Sequence, residues 1–115
     1  MKESFWQSLQ DLINSHSIYI DRPAGSVHPH YPNLIYPLAD GYLEDTSSMD
    51  GDGIDVWLGS GDRTLINGIF CTIDLIKSDC EIKILLGCSK EEINIIKMFH
   101  ESNSQAALWL ANPTL

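Results

Sequence analysis

Apolar positions change period several times along the 115-residue chain, and each change marks an element. Phe5, Leu9, Leu12 and Ile13 recur at helical spacing. Ser4-Phe-Trp-Gln7 has the form of a capping box, so the pattern predicts a first helix to about Asn14. Ser17 to Asp21 (SIYID) reads as a short strand closed by Arg22-Pro23. From there to Pro37, four prolines and Gly25 exclude helix and favour an extended, turning path. A short strand is expected around Gly41-Tyr-Leu43. A clearer one spans Ile54 to Leu58, with Ile54, Val56 and Leu58 facing one way and Asp55 and Trp57 the other. Ile69 to Ile76 is strand-like, and Lys77-Ser-Asp79 forms a hairpin turn into Cys80 to Leu86. Ser89-Lys-Glu-Glu92 is a second capping box. It opens a helix through Ile93, Ile96 and Phe99 to about Glu101. The tail Ala106 to Leu110 is apolar enough to dock, as a short helix or in a dimer contact. Helix, several short strands, helix is the order of a single α+β domain over residues 1–115, with helices outside an antiparallel sheet or small barrel.

Charge narrows the functions open to such a domain. The net charge is −9, and Asp40, Glu44, Asp45, Asp50, Asp52 and Asp55 fall in sixteen residues without Lys or Arg. That surface repels nucleic acid and anionic lipid, so neither is an expected partner. An anionic substrate can still bind if a divalent cation bridges it to the acids. Apolar runs such as Ile82-Lys-Ile-Leu-Leu86 are short and interrupted, so no membrane span is expected. The start Met1-Lys-Glu-Ser-Phe-Trp-Gln lacks the pattern of a signal peptide, which makes the cytoplasm the expected location. Cys71, Cys80 and Cys88 are odd in number and without CxxC spacing. They read as small apolar residues rather than disulfide or zinc ligands.

Three clusters carry candidate chemistry. In Asp50-Gly-Asp-Gly-Ile-Asp55, two glycines let the chain turn tightly, so that Asp50, Asp52 and Asp55 converge as hard oxygen ligands suited to Mg2+. The plain alternative is a hairpin loop built from common turn formers. An EF-hand is excluded, because position five counted from Asp50 is Ile54 and position twelve is Gly61. Asp79, Glu81 and Lys83 share one strand face at a period of two. They offer further metal ligands and a phosphate contact, or simply a solvated polar face. Arg22, His28 and His30 are the potential cations of the front half. They suit an anion or a metal, or a surface loop with ordinary hydrogen bonds.

Across residues 18–59, about a third of the chain, the sequence resembles the soluble Mg-dependent (family I) inorganic pyrophosphatases, in particular a short bacterial branch. Three ordered pieces carry the resemblance. They are Asp21 with Pro23-Ala-Gly-Ser26, then Tyr36-Pro37 with Gly41-Tyr42, then the signature Asp50-Gly-Asp-Gly-Ile-Asp55. The resemblance implies a five-stranded OB-like barrel with flanking helices and Mg2+ (or Mn2+) as cofactor. It implies that Asp50 and Asp55 bind the metal, that Asp52 orients or deprotonates the attacking water, and that Asp79 and Glu81 complete the metal sites. Lys83 would contact a phosphate, and Tyr36 and Tyr42 would line the site with Arg22, His28 and His30. The implied activity is hydrolysis of pyrophosphate or a related phosphoanhydride. The alternative is a pyrophosphatase-like domain that binds metal or a phosphorylated ligand without turnover, or acts as an interaction module. The sequence departs from the family on the phosphate side. Ala39-Asp40 replaces Asn-Tyr, no basic residue other than histidine follows Ser26 closely, an arginine before Tyr36 is lacking, and the last helix has no Tyr-Lys pair.

Overall fold

The computed structural model describes residues 2–115. Helix α1 (Lys2–Ser15) is followed by β1 (Ile18–Arg22), β2 (Ala39–Leu43), β3 (Asp55–Leu58), β4 (Ile66–Asp74) and β5 (Asp79–Leu86). Helix α2 (Lys90–Ser102) and strand β6 (Gln105–Ala111) complete the chain. The strands form one mixed sheet in the order β1-β2-β3-β5-β4-β6. All neighbours are antiparallel except β3 and β5, which run parallel because the β4–β5 hairpin folds back and inserts β5 beside β3. The protein is therefore α+β, as the element order implies.

Alternation along the strands divides the sheet into two faces. One face presents Leu43, Val56, Leu58, Ile66, Ile69, Ile84 and Leu86 to Trp6 and Ile13 of α1. The other presents Trp57, Phe70 and Leu85 to Ile96 of α2, with Phe99 and Trp109 packed alongside. At its far end this second face changes from apolar to charged, and the candidate site lies there. Each helix covers only part of its face. Ile73, Ile82, Leu108 and Leu110 remain well exposed beyond the reach of α1. Among the described residues, no helix is long and apolar enough to cross a membrane.

Several expectations change. The sheet has six strands instead of five, contains a parallel pair, and is not closed into a barrel, since β1 and β6 lie at its two edges. The tail is neither a helix nor a free docking segment. After Ser104, in the left-handed region (φ 65°), it returns antiparallel along β4, where Trp109 packs on Phe70 with ring centroids 4.9 Å apart. Ser4 does not cap α1 but sits inside it, because Lys2 and Glu3 extend the helix towards its start. The Gln7 amide instead donates to Asp11 one turn on. Trp6 rather than Phe5 is buried. The β4–β5 turn comes earlier than predicted, since the Asp74 carboxylate accepts from the amides of Ile76 and Lys77 and draws the chain out of the strand. Cys88 is buried and Cys71 half-buried, but Cys80 is exposed at the uncovered end of the sheet.

The capping box on α2 forms as expected. Glu92 N–H donates to Ser89 Oγ, and Ser89 N–H donates to the Glu92 carboxylate. Ile82 and Ile84 point to the same face, yet Ile84 is fully buried under α1 and Ile82 is 44% exposed. Ile84→Ala should cost about 2–5 kcal/mol in urea unfolding, and Ile82→Ala less than about 1 kcal/mol. Equal costs would contradict the partial cover that α1 gives the sheet.

Candidate metal and phosphate site

The acidic loop between β2 and β3 is held at its base by Thr46. Its hydroxyl donates to Leu43 O and accepts from Ile54 N–H. Within the loop, Asp50 Oδ1 accepts from the Ser48 hydroxyl and from Asp52 N–H, while Asp52 O accepts from Ser48 N–H. Gly51 occupies the left-handed region at φ 87°, as this turn requires. Gly53 lets the Tyr42 ring lie flat on the chain, because a Cβ there would fall 2.6 Å from Tyr42 Cδ2. The Ser48 hydroxyl, then Glu81, then Asp52 N–H hold the Asp50 carboxyl down at about 2.

Strand register then assembles the acids. Asp55 lies opposite Tyr42 on one side and Lys83 on the other, and Glu81 and Asp79 continue the same face of β5. Lys83 Nζ donates to Asp55 Oδ2 at 2.6 Å and to Glu81 Oε2 at 2.5 Å. Burial opposes the lysine's charge, but Asp55 and Glu81 outweigh it and hold the ammonium firmly protonated. Glu81 is pushed up by burial, with Lys83 pulling against that shift and nearby Asp50 adding to it. Asp50, Asp55, Glu81 and Lys83 thus form one interacting group.

Asp40, which the sequence shows only as part of the acidic run and as a departure from the family pattern, joins them. Burial and then Asp55 raise its carboxyl to about 7, while Lys83 and Arg22 pull it back. The detectable signal was its period-two relation to Tyr42 on β2. Its neighbours across the sheet, Trp57 and Arg22, could not be read from the chain.

Asp40, Asp79, Glu81 and Lys83 line a cavity of about 460 Å³, which Asp50 and Asp55 adjoin through their contacts with Glu81 and Lys83. Tyr36 and His28 also line it, with rings stacked 11° from parallel and centroids 6.2 Å apart. Tyr36 also packs on Phe99 and Trp57. Its hydroxyl is raised by burial and then by Asp40, with Arg22 opposing. Burial, followed by His30, Arg22 and Lys77, lowers the His28 imidazole, whose Nδ1 accepts from His30 N–H.

A buried relay backs the cavity. Trp57 Nε1–H donates to His100 Nε2, so the remaining ring proton sits on Nδ1 and is donated to Gln105 Oε1. Gln105 Nε2 in turn donates to Asp74 Oδ2 at 3.3 Å. Burial lowers His100 to about 4, so the relay is neutral at its centre. Neither His100 nor Gln105 is legible as a site residue in the sequence, because the contact with Trp57 spans 43 positions.

The remaining candidates are less integrated. Asp52 is exposed, and among the described residues its carboxylate makes no hydrogen bond, although its backbone does. Arg22 is 3.6 Å from Asp21 and lies beside Tyr36. Tyr42 packs on Tyr19 with the rings tilted 39°, outside the cavity wall, and His30 is exposed beside His28. No family model matches the chain, and no curated protein matches it.

As the side chains stand, no group of three His, Cys, Asp or Glu among the described residues is arranged to hold a metal ion. The donor chemistry nonetheless suits a hard cation. Asp50 and Glu81 act on each other at close range, and the Lys83 ammonium already fills the role of a positive charge between Asp55 and Glu81.

The raised Asp40 makes the pH dependence testable. Its carboxyl holds a proton in the folded protein from about 3.8 to about 7, where the unfolded chain has lost it. The folded state therefore binds more protons in that window, and this contribution to stability falls as pH rises. Asp40→Asn lacks the titration, so its stability relative to wild type should increase steadily from about pH 4 to 7 in metal-free buffer. A constant difference across that range, measured by urea unfolding, would rule out the raised carboxyl.

Proposed function

We propose that the protein is a Mg2+-dependent hydrolase of inorganic pyrophosphate or a related phosphoanhydride. One observation carries the reading. Asp50, Asp55 and Glu81, drawn from a loop and two strands, converge with Lys83 beside a cavity large enough for a small anion, and Asp79 shares their strand face. The ordered family-like pieces in residues 18–59 support it, with an OB-like relationship as the fold-level counterpart.

In this reading Asp50, Asp55, Asp79 and Glu81 would hold Mg2+, with Mn2+ as an alternative. The bound ion supplies charge that acidifies the attacking water and offsets the charge of the leaving phosphate. Asp52, free at the loop surface, accepts the proton of that water. Lys83 donates to both Asp55 and Glu81, so one ammonium offsets the repulsion between two half-buried carboxylates. Trp57 and Phe99 give the cavity an apolar floor that limits water, and Tyr36 and His28 form the wall against which the substrate lies. The substrate is a small phosphoanhydride. The acidic surface argues against nucleic acid and membrane partners, and exposed Leu108 and Leu110 favour a homo-oligomer.

A second reading, a ligand-binding domain without turnover, is favoured by the commitment of Lys83 to two carboxylates, which leaves it unavailable to phosphate. A phosphate-release assay separates the two. With Mg2+ the protein should hydrolyse pyrophosphate, and Asp52→Asn should lower kcat by about 100-fold or more without changing thermal unfolding. Absence of phosphate release with both Mg2+ and Mn2+ would refute hydrolysis.

A further inference from the structure

The cavity wall contains a second lysine that the family-like pattern does not assign. Lys77 sits in the β4–β5 turn and lines the same cavity as Asp79, Glu81 and Lys83. Its backbone is fixed. Lys77 N–H and Ile76 N–H both donate to Asp74 Oδ1, whose other oxygen is tied through Gln105 and His100 to the buried Trp57. Its ammonium, in contrast, lies within ion-pairing distance of no carboxylate among the described residues, whereas Lys83 is engaged by two. His28 lines the same cavity, and its imidazole responds to the Lys77 charge.

Resting on the pyrophosphatase reading, we propose that Lys77, rather than Lys83, is the lysine that contacts a terminal phosphate group of the substrate, in the cavity that His28 also lines. With Asp79 and Glu81 turned to the metal and Lys83 committed to carboxylates, the terminal phosphate needs a further cation, and Lys77 is an uncommitted one in the same wall. A turn anchored to the core holds that cation at the exposed part of the wall, and its long side chain spans ligands of different length. The contact is solvent-exposed, so it is moderate in strength and sensitive to ionic strength.

Lys77 is exposed, so its substitution leaves folding intact. The experiment is calorimetric titration of methylenebisphosphonate, a non-hydrolysable pyrophosphate analogue, in Mg2+ buffer, together with steady-state kinetics on pyrophosphate. Lys77→Ala should weaken analogue binding by about three- to tenfold and raise KM similarly with kcat little changed. Lys77→Arg should recover most of the loss, Lys77→Glu should exceed it, and the gap between wild type and Lys77→Ala should narrow as salt rises. Unchanged binding and KM in Lys77→Ala, with an active wild type, would overturn the role of Lys77 and leave hydrolysis standing. Wild-type binding that Lys77→Ala weakens, without phosphate release, would support Lys77 and remove hydrolysis. A wild type that does not bind the analogue would overturn both.

Discussion

The ion pairs of Lys83 with Asp55 and Glu81 are the constraint on which the site depends. All three side chains are largely withdrawn from water, with relative side-chain exposures of 14%, 29% and 15%. A half-buried charge is costly when alone, and removing Lys83 would leave both carboxylates uncompensated. Glu81 and Lys83 meet along β5 itself, whereas the pair with Asp55 exists because the parallel register of β3 and β5 puts Asp55 opposite Lys83 and Trp57 opposite Leu85. One register thus seats the charged cluster and the apolar core on the same face of the sheet, two residues apart.

That proximity explains the behaviour of the surrounding groups. Asp40 is crowded by burial and by Asp55, so it keeps its proton to near neutrality. Asp50, in a loop rich in donors, is driven the other way, to about 2. Two carboxyls on one site with oppositely shifted affinities follow from one being walled in by the sheet and the other wrapped by a hydroxyl and an amide. The relay from Trp57 to Asp74 extends the same ordering to the β4–β5 turn. There a directional chain of hydrogen bonds, neutral at His100, joins the core to the Asp74 carboxylate at the turn.

Much of this was legible before folding. Alternation in Asp79-Cys-Glu-Ile-Lys83 reported which side chains share a face, because a strand has a period of two whatever its partners. The α2 capping box was legible for the same local reason, as was the tight acidic turn with its two glycines. The tail was not. Ala106-Ala-Leu-Trp-Leu110 is apolar on both sides of any strand and equally apolar as a helix, so only the vacant edge of β4 decides its conformation. The first helix misled for a related reason. Its stripe admits either Phe5 or Trp6, and the packing partner chooses.

The sequence by itself determined the α+β class, the acidic loop and the shared face of Asp79, Glu81 and Lys83, all of which depend on residues a few positions apart. Only the tertiary structure decided that β3 and β5 pair in parallel, that Lys83 is bound to two acids while Lys77 is not, and that Asp40 and His100 border the same cavity. Those facts rest on contacts between segments tens of residues apart. Such contacts are fixed by the competition of whole strands for sheet neighbours, which no local pattern records.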